Sequence, residues 1–385
     1  MLAITNGRLF TITLGIIEGG TILIDRGRFV AVGDGLNVPQ GARVIDAAGC
    51  NVYPGLVDAH THHGVYAEIS GPEGADVNEM TDPITPHVRA LDSLNWFDPG
   101  FDTAVANGVT TVNVLPGSGN VIGGQGVTVK TWGARPAERV LLEPSGVKMA
   151  LGENPKRVYG SKKKTPSTRL GNAAQMREAF VQARNYQRKR SRDEGERDLR
   201  WEILTDVLEG KFPARCHAHR ADDILTALRI SHEFGFRLTI EHCTEGHYVA
   251  DELAAAGIMC TLGPLLTGKS KQELKDRSLE AAPALERAGV VFGFTTDHPV
   301  IPSYSLPLCA AYAVGAGMSR EGALRALTLD PARVIGLEHR IGSLDAGKDA
   351  DCVLADGDLL DPRTRVLTTV VDGQVAWTLQ DVPRI

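Results

Sequence analysis

Residues 214–243, ARCHAHRADDILTALRISHEFGFRLTIEHC, carry a strand, a helix and a second strand in one unbroken run. Ile224, Leu225, Leu228 and Phe234 mark one face of a helix, and Gly235 stands where a left-handed residue ends it. Two strands separated by a helix run parallel, because a tight hairpin would reverse them. The unit then repeats. The helical HYVADELAAAG (247–257) precedes IMCTLGP (258–264), SLEAAPALERAG (278–289) precedes VVFGFTTDHP (290–299), and the helical PLCAAYAVGAG (307–317) follows. Gly257 and Gly289 repeat the cap of Gly235. Upstream, YPGLVDAH (53–60), GVTTVNVL (108–115) and SGVKMAL (145–151) read as further strands. Alternating strand and helix of this kind specifies a parallel α/β fold.

The repeat spans about 290 residues, which suits a (β/α)8 TIM-type barrel. A doubly wound sheet is the alternative, but GLVDAHTHHG (55–64) is not the glycine-rich phosphate turn such a sheet carries after its first strand. Both ends of the chain have a different texture, short strands joined by glycine turns. Asn6-Gly7, Arg26-Gly27 and Asp372-Gly373 are placed as hairpin turns. Neither end has strands enough for its own core. The expectation is a small β-sandwich module built jointly from 1–52 and 342–385, around a barrel of 53–341. Residues 155–200 break the rhythm with a basic loop and a heavily charged helix pair. They read as a solvated helical insertion, with an oligomer contact or an active-site lid as the other possibilities.

Composition excludes several classes of partner. A hydrophobic content of 43% with 23% charged residues is that of a globular protein, and the net charge of −6 gives no attraction to nucleic acid. No apolar run approaches the ~20 residues of a membrane span. Six scattered cysteines without a C-x-x-C pair point to a reducing, cytoplasmic setting.

Polar residues gather at the strand ends. His60 and His62 close the first barrel strand, His217 and His219 close ARCHAH, His242 closes FRLTIEH, and Asp297 closes VVFGFTTD. In a barrel these ends share one mouth. A His-x-His pair on a strand points both rings the same way, which suits a shared cation. Imidazole with carboxylate suits Zn²⁺, with Mn, Fe or Co as alternatives. Each histidine taken singly also fits an ordinary hydrogen-bonded polar residue. The agreement of four strands is what favours the metal.

The chain resembles the amidohydrolase superfamily. YPGLVDAHTHHG is similar to the first-strand motif of that family, and IGSLDAGKDADCVLADGDLLDP to its C-terminal return. CHAHRADDI, EHCTEGH and TTDHPVIP resemble the imidazolonepropionase-related subgroup. The resemblance implies that His60, His62, His217 and His242 are metal ligands, and that Asp297 is both ligand and proton shuttle. Many members bridge two ions with a carboxylated lysine. SGVKMALGENPKR resembles one version of that strand, which would make Lys148 the bridge, with Glu153 as the rival. One ion or two depends on that choice.

The expected reaction is hydrolysis of a C–N bond in an amide, a cyclic amide or a dipeptide. His219 and His247 are candidates for orienting substrate or stabilising an oxyanion, or for bonding to ligands instead. Arg220, Lys156 and Arg157 are candidates for binding a substrate carboxylate, or simply solvated. Asp58, His63 and His298 are expected beside the ligands, and Cys216 and Cys243 as small core residues. Deamination is the alternative activity. Deaminases and imidazolonepropionase itself carry an acid two residues after the fifth-strand histidine, and His219 stands there instead, which counts against both assignments. A metal-free, non-catalytic assembly of the same fold is an alternative of another class. A homo-oligomer is expected.

Overall fold

A computed structural model describes residues 1–67, 72–192, 194 and 196–379. Positions 193 and 195 of the charged segment and the last six residues of the expected C-terminal module therefore lie outside the described residues.

Strands from both ends of the chain share one eight-stranded sheet. Its order is Gln374–Thr378, Val366–Val371, Cys352–Ala355, Asn51–Pro54, Leu2–Phe10, Ile16–Asp25 and Arg28–Gly33, with Arg43–Asp46 also pairing Leu2–Phe10. By hydrogen bonding the strands of both ends are continuous with one another. Leu2, Ile4, Leu9, Ile22, Phe29, Val52, Leu354 and Val370 form its core. Arg26-Gly27 and Asp372-Gly373 make the expected turns, with positive φ at all four residues. Asn6-Gly7 does not. It lies inside Leu2–Phe10, with Asn6 at φ 61° and the register slipping between Ile4 and Gly7. An asparagine-glycine pair that tolerates left-handed backbone serves a bulge as readily as a turn.

The rest of the chain is mixed α/β. Leu56–Thr61 pairs in parallel with Val109–Val114, in a sheet continued antiparallel by Val127–Lys130 and Val140–Leu142. Val147–Ala150, Ala214–Ala218, Leu238–His242, Met259–Leu262 and Phe292–Phe294 form a parallel run, extended antiparallel by Ile122–Gln125. Among the described residues the two ladders stay open. Their edges meet where Thr295 Oγ1, just past Phe292–Phe294, donates to the His60 carbonyl. The helix Ala221–Phe234 ends at Gly235 with φ 72°, and Gly257 and Gly289 adopt positive φ where glycine caps were expected.

The charged segment departs from a solvated insertion. Arg169–Arg190 places Met176, Ala179, Phe180 and Ala183 in the main core, a stripe at i, i+3, i+4 and i+7. Phe180 is fully buried, stacked on Phe236 at 4.5 Å between ring centroids. Burying such a ring contributes about 1.5–3 kcal/mol. The helix packs against Leu199–Leu208 and Ala221–Phe234, with Arg177 and Arg188 exposed on its outer face.

Lys130 joins the two parts of the molecule. Its fully buried ammonium lies 3.3 Å from Asp349 Oδ2 and 3.2 Å from Asp372 Oδ1, and it also donates to Asp351. Burial alone would lower its pKa, but the three carboxylates together raise it. Among the described residues no helix is long and apolar enough to cross a membrane.

Candidate metal centre

Four strand ends deliver the polar residues to one place. His60 and His62 leave Leu56–Thr61 two residues apart, and their Nε2 atoms lie 3.3 and 3.2 Å from Asp297 Oδ1. His217 and His219 arrive from Ala214–Ala218, and His242 from Leu238–His242. Two groups result, His60, His62 and Asp297 in one and His217, His219 and His242 in the other. Within each, the potential ligand atoms all lie within 4.8 Å of one another. The groups adjoin, with the His60 and His242 rings 4.6 Å apart. His62, His217, His219, His242, Asp297 and Arg157 line a cavity of about 450 Å³.

Backbone geometry explains the convergence. A regular strand would point Glu241 and His242 to opposite faces. His242 instead has φ 73° and Cys243 φ 44°, so the alternation breaks at the strand end and both side chains reach the site. Asp297 has φ 52°. Left-handed backbone at residues other than glycine costs about 1–3 kcal/mol each and gathers at functional sites.

The hydrogen bonds orient the imidazoles. His62 Nδ1 donates to the Leu115 carbonyl at 2.7 Å, and His242 Nδ1 to the Gly263 carbonyl at 2.9 Å. A carbonyl only accepts, so the proton sits on Nδ1 and the Nε2 lone pair faces the site. His60 Nδ1 lies 2.6 Å from Glu241 Oε2. The second carboxylate oxygen, Glu241 Oε1, lies 2.9 Å from Arg215 Nε, and Thr261 Oγ1 donates to Oε2 at 2.9 Å. Arg215, Glu241 and His60 are all fully buried. Arg215 also donates to the carbonyls of Ala59 at 2.9 Å and Val334 at 3.3 Å.

The electrostatics suit a cation. Burial is the largest influence holding His62, His217, His219 and His242 below the ordinary histidine range, so these rings are neutral and keep their lone pairs. Burial pushes the Asp297 carboxyl up, but His242, His60 and His62 together pull it well below the usual range. Burial likewise raises Glu241, and Arg215 and His60 more than reverse it. Lys148, fully enclosed, is lowered by burial to about 8, against the pull of Glu241 and Asp297. Both His217 ring nitrogens and Asp297 Oδ1 are buried without a hydrogen-bond partner. Lone pairs gathered in this way repel one another, and each buried unsatisfied group costs about 1–3 kcal/mol. A divalent ion offsets both costs, so the residues present fit one.

Other expected residues are placed as follows. Lys148 Nζ lies 3.1 Å from His60 Nε2, inside the site. Glu153 does not join the histidines; its Oε2 accepts from the Glu273 backbone at 3.3 Å, and its own N–H donates to Glu273 Oε1. Arg220 folds onto Asp222 through two bonds of 2.9 Å, away from the cavity lining. His247 also lies outside that lining, with its ring 4.1 Å from Tyr248. His63 stacks on His298 at 3.9 Å and bonds Ser303 Oγ at 2.9 Å. Asp58 accepts from Thr296 Oγ1 at 2.6 Å, with burial raising its pKa to about 6. Cys216 and Cys243 are buried as expected.

Glu241, Arg215, Lys271 and Glu273 join the site without having stood out in the sequence. Glu241 and Arg215 have one signal there, a charge inside an apolar strand. Lys271 lines the cavity and pairs with Glu273, Nζ to Oε2 3.3 Å, on the segment after Met259–Leu262.

Residues 190–376 match the family described as Amidohydrolase family. The crystal structure of an amidohydrolase from Thermotoga maritima MSB8 is 43% identical. It superposes with a TM-score of 0.95 over 98% of this chain and 100% of that one. The amidohydrolase tasK of Hapsidospora irregularis is 31% identical over 92% of this chain, which spans 39% of that protein's length. An imidazolonepropionase of Rhizorhabdus wittichii is 24% identical over 89% of each chain.

Proposed function

The chain belongs to the amidohydrolase family, and on that premise we propose that it is a metal-dependent hydrolase of a C–N bond in an amide, cyclic amide or small peptide. The observation that carries this is the convergence of buried, proton-free imidazole nitrogens and an ionised carboxylate from four strand ends on one cavity. His60, His62 and Asp297 would hold an ion. Bound there, a divalent ion supplies a Lewis acid and brings water's pKa from 15.7 to about 7.

The chain's own groups do the rest. Asp297, ionised beside three imidazoles, accepts a proton from the attacking water and returns it to the departing nitrogen. Water's oxygen bonds to the carbonyl carbon, the C–N bond breaks, and the products are a carboxylate and an amine. Glu241 fixes the His60 ring through Nδ1, and Arg215 keeps Glu241 ionised. With its pKa near 8, Lys148 has an accessible neutral amine, the form that takes up CO2 with loss of a proton. A carboxylated Lys148 would then bridge two ions. Arg157, on the cavity wall, would hold a substrate carboxylate.

The same proposal takes the two open ladders as parts of one (β/α)8 barrel over 53–341, carrying a module from 1–52 and 342–385. The contact of Thr295 with the His60 strand supports that closure. The test is amine release by zinc-loaded protein from N-acyl amino acids, dipeptides and cyclic amides. Cleavage of one class, lost with chelator, is expected. Turnover of amidines alone, with ammonia released, would replace hydrolysis of amides by deamination.

A further inference from the structure

We propose that His217, His219 and His242 form a complete three-histidine ion site of their own, one that holds its ion without the Lys148 bridge. This rests on the metal-hydrolase function above and goes beyond it, because the family resemblance supplies only His217 and His242 and makes a lysine complete the second site.

His217 and His219 sit two residues apart at the end of one strand, so both rings leave the sheet on the same side. His242 is carried to them by the neighbouring strand, where Ala218 pairs with His242 in register. The three ring centroids lie 4.5–4.7 Å apart, and none of the residues is more than 3% exposed. Each ring presents a free nitrogen. Donation by His242 Nδ1 to the Gly263 carbonyl leaves Nε2 open. His219 Nδ1 lies 2.7 Å from Thr244 Oγ1, which in the donating tautomer leaves Nε2 open as well. His217 has no hydrogen-bond partner at either nitrogen.

Three buried imidazoles, His217 unpartnered at both nitrogens and His219 and His242 bonded through Nδ1, suit a cation. The Glu273 carboxylate, 3.8 Å from His217 Nε2, adds negative charge beside them while it also pairs with Lys271. Three histidine ligands with a vacant fourth position suit an open zinc site, and imidazole donors alone favour Zn, Co, Ni or Cu over Mg or Ca. Lys148 bonds into the other group through His60. The second group therefore has its full donor set before Lys148 is counted.

The test is ion content, read independently of turnover. Apo protein is loaded with Zn²⁺ or Co²⁺, gel-filtered and assayed for bound metal, with the Co²⁺ visible spectrum recorded. Wild type is expected to hold two ions. Lys148→Ala should keep the three-histidine ion, and His219→Ala should lose it, its affinity falling at least about tenfold. His219→Gln, checked by circular dichroism, guards against a folding defect and should lose the ion too. If His219→Ala and His219→Gln keep both ions while Lys148→Ala drops one or both, the inference is overturned and the hydrolase function stands. One ion in wild type, lost with His60→Ala and kept with His219→Ala, overturns the inference in the same way. No bound metal in wild type overturns both.

Discussion

Glu241→Gln separates the electrostatic role of the buried carboxylate from its shape. In the wild type, Glu241 Oε2 receives His60 Nδ1–H at 2.6 Å and Thr261 Oγ1–H at 2.9 Å, and Oε1 faces Arg215 Nε at 2.9 Å. The amide keeps the volume but has one acceptor oxygen where three donors converge. Its NH2 group must face either Arg215 or His60, donor against donor. Arg215, fully buried, is left without its counter-charge, which in buried pairs costs about 3–5 kcal/mol of stability. Loss of the carboxylate behind a metal-binding histidine weakens the metal by about 10–100-fold. Through linkage, zinc at saturating concentration should then stabilise the variant by about 1.4–2.7 kcal/mol less than the wild type.

The assay is chemical denaturation of apo and zinc-loaded protein, with zinc affinity measured by competition against a chelating dye. Pairing Glu241→Gln with Arg215→Met removes the stranded charge. The double variant should regain most of the apo stability while its zinc affinity stays low. A Glu241→Gln protein with wild-type zinc affinity, and apo stability unchanged within about 0.5 kcal/mol, would refute the coupling of Arg215 and Glu241 to the ion through His60.

Other perturbations test other parts of the structure. Phe180→Ala should cost about 3–5 kcal/mol in denaturant unfolding, because the ring is fully buried against Phe236; a loss below about 1 kcal/mol would return Arg169–Arg190 to a solvated insertion. Lys130→Met should cost about 3–5 kcal/mol by stranding the buried Asp351, while Asp349 keeps Arg28 and Arg340, and a neutral result would deny that this cluster holds the terminal sheet to the core. Burial raises Asp223 from 3.8 to about 6 despite Arg169, so its folded form favours the proton. That contribution to stability is complete below about pH 3.8 and is lost as pH rises through about 6, roughly 3 kcal/mol in all. Asp223→Asn should flatten the stability profile across that window; an unchanged profile would rule out Asp223 as its source.

The ligand-type residues are legible in the sequence because strand position and residue type both point to them. His60, His62, His217, His242 and Asp297 each follow an apolar run, and parallel strands carry such ends to one side. Glu241 is hidden by the same rule, since alternation places it opposite His242, and the left-handed backbone at His242 is invisible in a pattern of residue types. His219 reads in the sequence as a group that orients substrate, because only the register of neighbouring strands puts its ring beside those of His217 and His242. The helix Arg169–Arg190 misleads for the opposite reason. Its apolar stripe is present in the sequence, but so many charges surround it that the composition of the segment outweighs the spacing of four residues. Asn6-Gly7 shows that a turn dipeptide specifies local backbone, and the strand pairing around it decides between turn and bulge.

The most direct test follows zinc content and amide cleavage on the same samples as chelator strips the ion from wild-type protein. Release of amine should fall in proportion to bound zinc and return when zinc is restored, whereas His60→Ala should neither retain the full zinc content nor cleave. Cleavage that persists in zinc-free protein, or at the wild-type rate in His60→Ala, would contradict a metal-dependent hydrolase centred on these histidines.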